Sequence, residues 1–252
     1  MNTKKLYYED MFLTKCEAQV LAINGSRVVC NQTVAFPEGG GQIGDCGRIV
    51  CESGDTIPFV DTQKGVGEII HLGNGHDIQI NTPVYHICDS QVLENSIIES
   101  GMKVTILIDI NHRIRTTILH SALHLVLMGV VELRPELINR IKGCHIAVDK
   151  ARIDFFCKDK FTTDEIVFIN KYCQQLIDDN LEIERYLYQN QNEAWIWKCK
   201  DFECPCGGTH VVSTGQLGQI NVRRKNVGKT TERLIVMLND TKISENLKTL
   251  YT

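Results

Sequence analysis

Two pairs of metal-binding side chains, each pair four residues apart, constrain this chain more than any other feature. They are His120-Ser-Ala-Leu-His124 and Cys206-Gly-Gly-Thr-His210. A fold that brings them together gathers three imidazoles and one thiol, a donor set that suits zinc. On a helix, positions four apart face the same way with β-carbons ~5–6 Å apart, so His120 and His124 can grip one ion as a rigid pair. The alternative is two histidines on a half-buried helix face. Pro205, Gly207 and Gly208 disfavour helix around the second pair, which reads as a loop that the ion organises. The alternative there is a turn with a buried thiol. Cys204 rivals Cys206 as the thiol ligand, and the spacing to His210, matching that of the helical pair, favours Cys206. Four protein ligands close a site, whereas catalysis needs an open position, and the spacing leaves three or four ligands open. With one position free, zinc chemistry would suit ester hydrolysis.

The rest of the chain bounds the setting for such a site. Its 252 residues hold one large domain or two small ones. At 43% hydrophobic and 23% charged it has an ordinary globular composition. No apolar run is expected to approach the ~20 residues needed to span a bilayer. The N-terminus, Met1 to Asp10, lacks the apolar stretch of a signal peptide. The eleven cysteines are odd in number and scattered. That pattern predicts a reduced, cytoplasmic setting in which a special cysteine binds metal or reacts rather than forming a bridge. A net charge of −4 argues against broad nonspecific coating of DNA but does not exclude nucleic acid, since a local basic patch would still supply phosphate contacts.

Hydrophobic periodicity changes at Asp109. Residues 1 to about 108 read as short strands at Phe12 to Ile23, Arg27 to Cys30, Arg48 to Cys51, Thr56 to Val60, Glu68 to Leu72, Val84 to Cys88 and Lys103 to Ile108. Turn formers separate them, among them Asn24-Gly25 and Gly73-Asn74-Gly75. This spacing predicts a small barrel or sandwich. From Asp109 to Leu133 apolar residues recur at three- and four-residue steps, which predicts a helix capped by Asp109 or Asn111 and ended at Pro135. Ile146 to Val148, Arg152 to Phe156, Leu217 to Arg224 and Leu234 to Leu238 read as strands. Thr162 to Asp179 reads as a second helix capped by Thr162 or Thr163, and Lys242 to Leu250 as a closing helix. The second half is therefore α+β.

A further motif sits in the β-rich half: Pro37-Glu38-Gly39-Gly40-Gly41-Gln42, with Gly44-Asp45 after it. Without a following Gly-Lys-Ser/Thr it is no P-loop, and read alone it is as well explained by a bulged hairpin as by a ligand cradle. In combination the motifs are specific. Thr33 to Gln42, Arg113 through His120 and His124 to Leu125, Asp149 to Phe155, and Cys206 to His210 with Thr214-Gly215 occur in the order and spacing of the AlaX-type alanyl-tRNA trans-editing proteins. The chain resembles that family, which is similar to the editing domain of alanyl-tRNA synthetase, from its first strands to about Leu238. Little chain follows, so the resemblance is to the medium form, and nothing resembles an aminoacylation core.

The resemblance implies an α+β protein in two parts. Residues 1–108 would form a translation-protein-like β-barrel with the glycine motif, and residues 109–252 an α+β editing domain with a zinc site. It implies a metal-dependent aminoacyl-tRNA deacylase that acts on Ser-tRNA(Ala), with Gly-tRNA(Ala) as a second substrate, and has neither membrane nor DNA as a partner. Carried over by position, His120, His124, Cys206 and His210 would hold one zinc ion. Thr33 would sense the amino-acid side chain and act in catalysis with Gln42. Gly39, Gly40 and Gly41 would line the substrate. Ala35-Phe36, where Phe-Tyr is common, and Gln216-Leu217, where Glu-Ile is common, depart from the pattern. Arg223, Arg224 and Lys225, with Lys229 and Arg233, form the basic cluster expected to meet the RNA, and Arg113, Arg115, Arg140 and Lys142 flank the helix of the histidine pair. The alternatives are a zinc hydrolase of a small ester or amide, and a noncatalytic zinc-stabilised RNA-binding module.

Overall fold

The computed structural model describes residues 2–72, 77–239 and 245–251. Six antiparallel strands close a barrel: β1 (Lys15–Asn24), β2 (Arg27–Cys30), β3 (Gly47–Cys51), β4 (Thr56–Lys64), β5 (Val84–Cys88) and β6 (Lys103–Ile108). Around the barrel they run β6-β1-β2-β5-β4-β3, and β3 pairs with β6 to close it. Alternation drives this: along β6, Val104, Ile106 and Ile108 point inward while Lys103, Thr105 and Leu107 do not. Their inward side chains meet Val20, Val28, Ile49, Ile57 and Phe59 in one apolar core.

Helix α1 (Ile110–Leu133) follows directly, capped by Asp109, whose carboxylate accepts the His112 N–H at 2.9 Å. A short 3-10 turn at Pro135–Arg140 leads to β7 (Ile141–Ile146) and β8 (Ala151–Phe156). Helix α2 (Thr163–Asp178) starts at a capping box in which Thr162 and Glu165 satisfy each other's backbone N–H. A small three-stranded sheet comes next: β9 (Glu184–Leu187), β10 (Trp195–Cys199) and β11 (Phe202–Pro205). Then β12 (Ile220–Asn226) and β13 (Thr231–Leu238) complete a four-stranded antiparallel sheet in the order β7-β8-β13-β12. Leu119, Leu125, Val126, Phe155, Ile169, Cys173, Trp197 and Leu234 form a second core between this sheet and the helices.

Several expectations need correction. The strand expected at Ile146 to Val148 lies earlier, at Ile141–Ile146, because β7 is an edge strand held by pairing to β8, and an edge strand needs no apolar run. Leu217 belongs to a 3-10 turn, Thr214–Leu217, and the strand starts at Ile220 after Gly218 turns the chain with φ +65. The sheet of β9–β11 was not anticipated. The closing helix is Glu245–Lys248; its expected start at Lys242 and the Gly73-Asn74-Gly75 turn lie outside the described residues. Contrary to the sequence reading, α1 is long and apolar enough to cross a membrane by length and composition. Yet 83% of its most apolar window is buried inside the protein, as in a core helix.

One buried ion pair joins the barrel to α1. The Arg113 Nε donates to both Asp45 oxygens at 3.2 and 3.0 Å, and its Nη2 also reaches Asp45. Arg113 further donates to Met11 O at 2.8 Å and Val34 O at 2.7 Å, while Asp45 accepts the Phe36 N–H at 2.7 Å. Both side chains are fully buried, so Arg113 leaves the set of cations expected to face RNA. Breaking such a pair strands a charge in the interior, so Arg113→Met should lower stability by about 3–5 kcal/mol in urea unfolding. A loss no larger than that of an exposed pair, ~1 kcal/mol, would refute this role.

Candidate metal centre

His120 and His124 lie one turn apart on α1, and Cys206 and His210 lie on the segment that follows β11. Their ligand atoms all fall within 4.8 Å of one another, so the group could hold one metal ion. The outer nitrogens are anchored. His120 Nδ1 lies 2.8 Å from Gln42 Oε1, which also accepts the Thr209 N–H at 3.1 Å, so the imidazole is the donor and its Nε2 keeps a lone pair. Ser121 donates its hydroxyl to Thr117 O at 3.0 Å and accepts the Val211 N–H, which leaves its oxygen to receive His210 Nδ1 at 3.4 Å. His124 Nδ1 faces Cys204 Sγ at 3.5 Å, and its ring stacks on Trp197 with centroids 4.4 Å apart.

The inner atoms fit a cation. Cys206 Sγ lies 3.4 Å from His120 Nε2 and 3.3 Å from His210 Nε2, while His124 Nε2 is buried with no hydrogen-bond partner among the described residues. A buried nitrogen without a hydrogen bond is costly, and an ion at this position relieves it. Burial holds the His120 pKa well below the usual imidazole range, with His124 and Arg185 adding to the shift. His210 is lowered in the same way, by burial and then by His120, His124 and Arg185. Burial brings His124 down to about 3. All three are therefore neutral at pH 7 and offer lone pairs. Burial raises the Cys206 thiol to about 11, a shift that a bound cation reverses because it favours the thiolate. Among the four, Cys206 alone is half-buried, while the three histidines are buried.

The glycine motif reaches this centre from the barrel half of the chain. Gly41, at φ +85, packs so tightly that a β-carbon would fall 2.6 Å from Cys144 Sγ. Its carbonyl accepts the Ile146 N–H at 2.7 Å, docking the loop on β7. Gln42 is then fully buried, and its Nε2 donates to Thr209 Oγ1 at 3.0 Å. Gly208 passes directly over His120, and a β-carbon there would overlap the imidazole. Gly39 and Gly40 continue the loop beside the centre, Gly39 lying against Lys64.

The other expected residues lie elsewhere. Thr33 is buried beside the barrel: its oxygen lies 2.9 Å from His86 Nε2 and accepts the Ala35 N–H at 3.0 Å. Neither of these hydrogen bonds goes to a residue of the metal group. Arg223, Arg224 and Lys225 are on β12. Arg223 and Lys225 are exposed, while Arg224 is bound to Glu232 at 2.5 and 2.7 Å, and Arg233 to Asp154. Sequence reading missed Ser121 and Thr209, which anchor the histidines from inside the two motifs, and Trp197, Arg185 and Tyr8, which no local pattern marks.

In sequence this chain is similar to parts of alanyl-tRNA synthetases and to an editing protein. Residues 196–235 match the family described as the threonyl and alanyl tRNA synthetase second additional domain. More particularly, the chain is 29% identical to the alanyl-tRNA editing protein AlaX-M of Pyrococcus horikoshii, over 94% of this chain and 98% of that protein. It is also 29% identical to the alanine–tRNA ligases of Sulfurisphaera tokodaii and Metallosphaera sedula, over 87% and 92% of this chain. Of those ligases it spans only about a quarter of the length, 24% and 25%. The resemblance to AlaX-type editing proteins thus extends over nearly the whole chain.

Groups that orient a metal-bound histidine typically contribute 10–100-fold in metal affinity. Gln42→Ala should therefore weaken metal binding by about that factor in a chelator competition, whereas Cys206→Ala removes a ligand outright and should weaken it more. Wild-type affinity in Gln42→Ala would show that His120 needs no such support.

Proposed function

We propose that this chain is a zinc-dependent trans-editing hydrolase that removes serine, and as a second substrate glycine, from mischarged tRNA(Ala). The observation that carries the reading is the convergence of the glycine loop and both metal motifs on one centre, in a chain similar over 94% of its length to an alanyl-tRNA editing protein. Three imidazoles and a thiolate are a donor set that selects zinc over harder cations. When bound, zinc supplies Lewis-acid polarisation of the ester carbonyl.

The chain's own residues have distinct tasks in this reading. His120, His124, Cys206 and His210 hold the ion. Gln42, placed above with Thr33 as a catalytic residue, acts through His120 by fixing its tautomer, since its amide is already engaged by His120 and Thr209. Gly39, Gly40 and Gly41 let the backbone approach the substrate. Thr33 senses the seryl hydroxyl, and a site built to bind that hydroxyl disfavours alanine, which lacks it. Arg223 and Lys225 contact tRNA phosphates, and Arg224 does so from its pairing with Glu232. Residues 1–108 and 109–252 act as barrel and editing domains of a cytoplasmic protein. Hydrolysis proceeds without an acyl-enzyme, so single-turnover trapping should yield no covalent adduct.

One observation favours a second reading. All four donors converge, and four protein ligands make a closed, structural site. The domain would then be a noncatalytic RNA-binding module.

Deacylation of Ser-tRNA(Ala), Gly-tRNA(Ala) and Ala-tRNA(Ala) by the zinc-loaded protein separates the two. Rapid release of serine with alanine spared, and none in His120→Ala, is the expected result. Zinc bound without activity on any of the three would establish the structural reading. Thr33→Val should narrow the serine preference by roughly tenfold, the worth of one buried hydrogen bond, with zinc content unchanged. Unaltered discrimination would leave Thr33 a packing residue of the barrel.

A further inference from the structure

Cys206 is the one half-buried residue of the metal group, and we take its side as the opening of the centre; the surroundings there are unusual. The Cys206 N–H donates to Trp195 O at 2.9 Å. The Arg185 guanidinium lies over the Trp195 ring, 4.7 Å from its centroid, and the Tyr8 ring lies 5.8 Å from the same indole. Tyr8 also borders Gly207, whose β-carbon would fall 3.3 Å from the phenol oxygen. Two N–H donors in this group are buried with no acceptor among the described residues, Arg185 Nε and Trp195 Nε1. The hydrogen bond that Arg185 does form is a long one, from Nη1 to Met11 Sδ at 3.8 Å. Lys64, exposed on β4 and set against Gly39, adds a second positive charge near Cys206. Among the described residues, neither cation forms an ion pair with a carboxylate, whereas the nearby Lys5 is bound to Glu193 at 2.7 Å.

A guanidinium that is half-buried, stacked and unpaired, with a vacant N–H beside a vacant indole N–H, lacks an anionic acceptor. We propose that Arg185, supported on Trp195, binds the phosphate joining the ester-bearing terminal nucleotide to the rest of the tRNA, with Lys64 contributing to the same anion site. The inference rests on the editing reading for the identity of the ligand. The planar fork of arginine matches a phosphate in two directions, which a lysine alone does not. Tyr8 and Trp195 supply aromatic faces beside it, a usual partner of an unpaired base or ribose. Burial lowers the Arg185 pKa, as expected for a cation whose counter-charge arrives with the ligand. The site also explains why an ester on a polynucleotide would be chosen over a free ester: remote binding energy is gained next to the metal group.

The test is binding of cytidylyl-(3′→5′)-adenosine, which has the phosphate, against adenosine, which lacks it, followed by fluorescence titration. The wild-type protein should prefer the dinucleotide by about tenfold or more, the worth of a charge-assisted hydrogen bond, and the preference should shrink as salt rises. Arg185→Gln should abolish most of the preference while leaving adenosine affinity in place, and Arg185→Lys should retain part of it. Lys64→Gln, at an exposed position, should reduce it less. A wild-type protein that binds both ligands alike overturns the assignment. So does equal weakening of both ligands by Arg185→Gln, or full preference in both Arg185→Gln and Lys64→Gln. No ester is cleaved in this measurement, so a phosphate preference found in a protein inactive on Ser-tRNA(Ala) would retire the editing reading and keep the anion site.

Discussion

The buried pair of Asp45 and Arg113 is the constraint on which the centre depends. Asp45 closes the glycine-bearing segment on itself through the Phe36 N–H, and Arg113 binds Val34 O and Met11 O from the first turn of α1. The segment carrying Gly39 to Gln42 is thereby tied to the helix that carries His120 and His124. An ion pair excluded from water tolerates little slack, because any separation leaves two uncompensated charges. Its contribution is therefore to position as much as to stability: it sets Gln42 within 2.8 Å of His120.

From that anchor the centre is organised by burial. The three imidazoles are held neutral because the interior disfavours their charged forms, and each outer nitrogen is occupied or blocked, so the inner nitrogens face one another. Such a cluster is unfavourable when empty and favourable around a cation. The cost is borne by the helix, whose apolar faces are packed on all sides. This is also why α1 has the composition of a membrane span without being exposed to lipid: a helix buried all round has no polar face to show.

The charges around the opening complete the electrostatics. On β12 and β13, Arg224 and Arg233 are neutralised by Glu232 and Asp154, which weakens the basic cluster read from composition. At the opening, Arg185 and Lys64 remain without carboxylates among the described residues. Arg223 and Lys225 are in no ion pair with a carboxylate among the described residues.

Local pattern was enough for much of this. The barrel strands follow from period-two alternation and turn formers, α1 and α2 from their periodicity and caps, and the metal group from two four-residue spacings. In each case the informative residues are neighbours along the chain. What the sequence hid depends on residues brought together from afar. Gln42 meets His120 across 78 positions and Thr209 across 167. Thr33 turns to His86 and Arg113 to Asp45. The small sheet of β9–β11 forms by pairing rather than by apolar pattern, and it alone delivers Arg185 and Trp195 to Cys206. Hydrogen bonds and ion pairs between distant segments leave no periodicity in the sequence, so packing had to decide which polar side chains were spent on structure and which stayed available for chemistry.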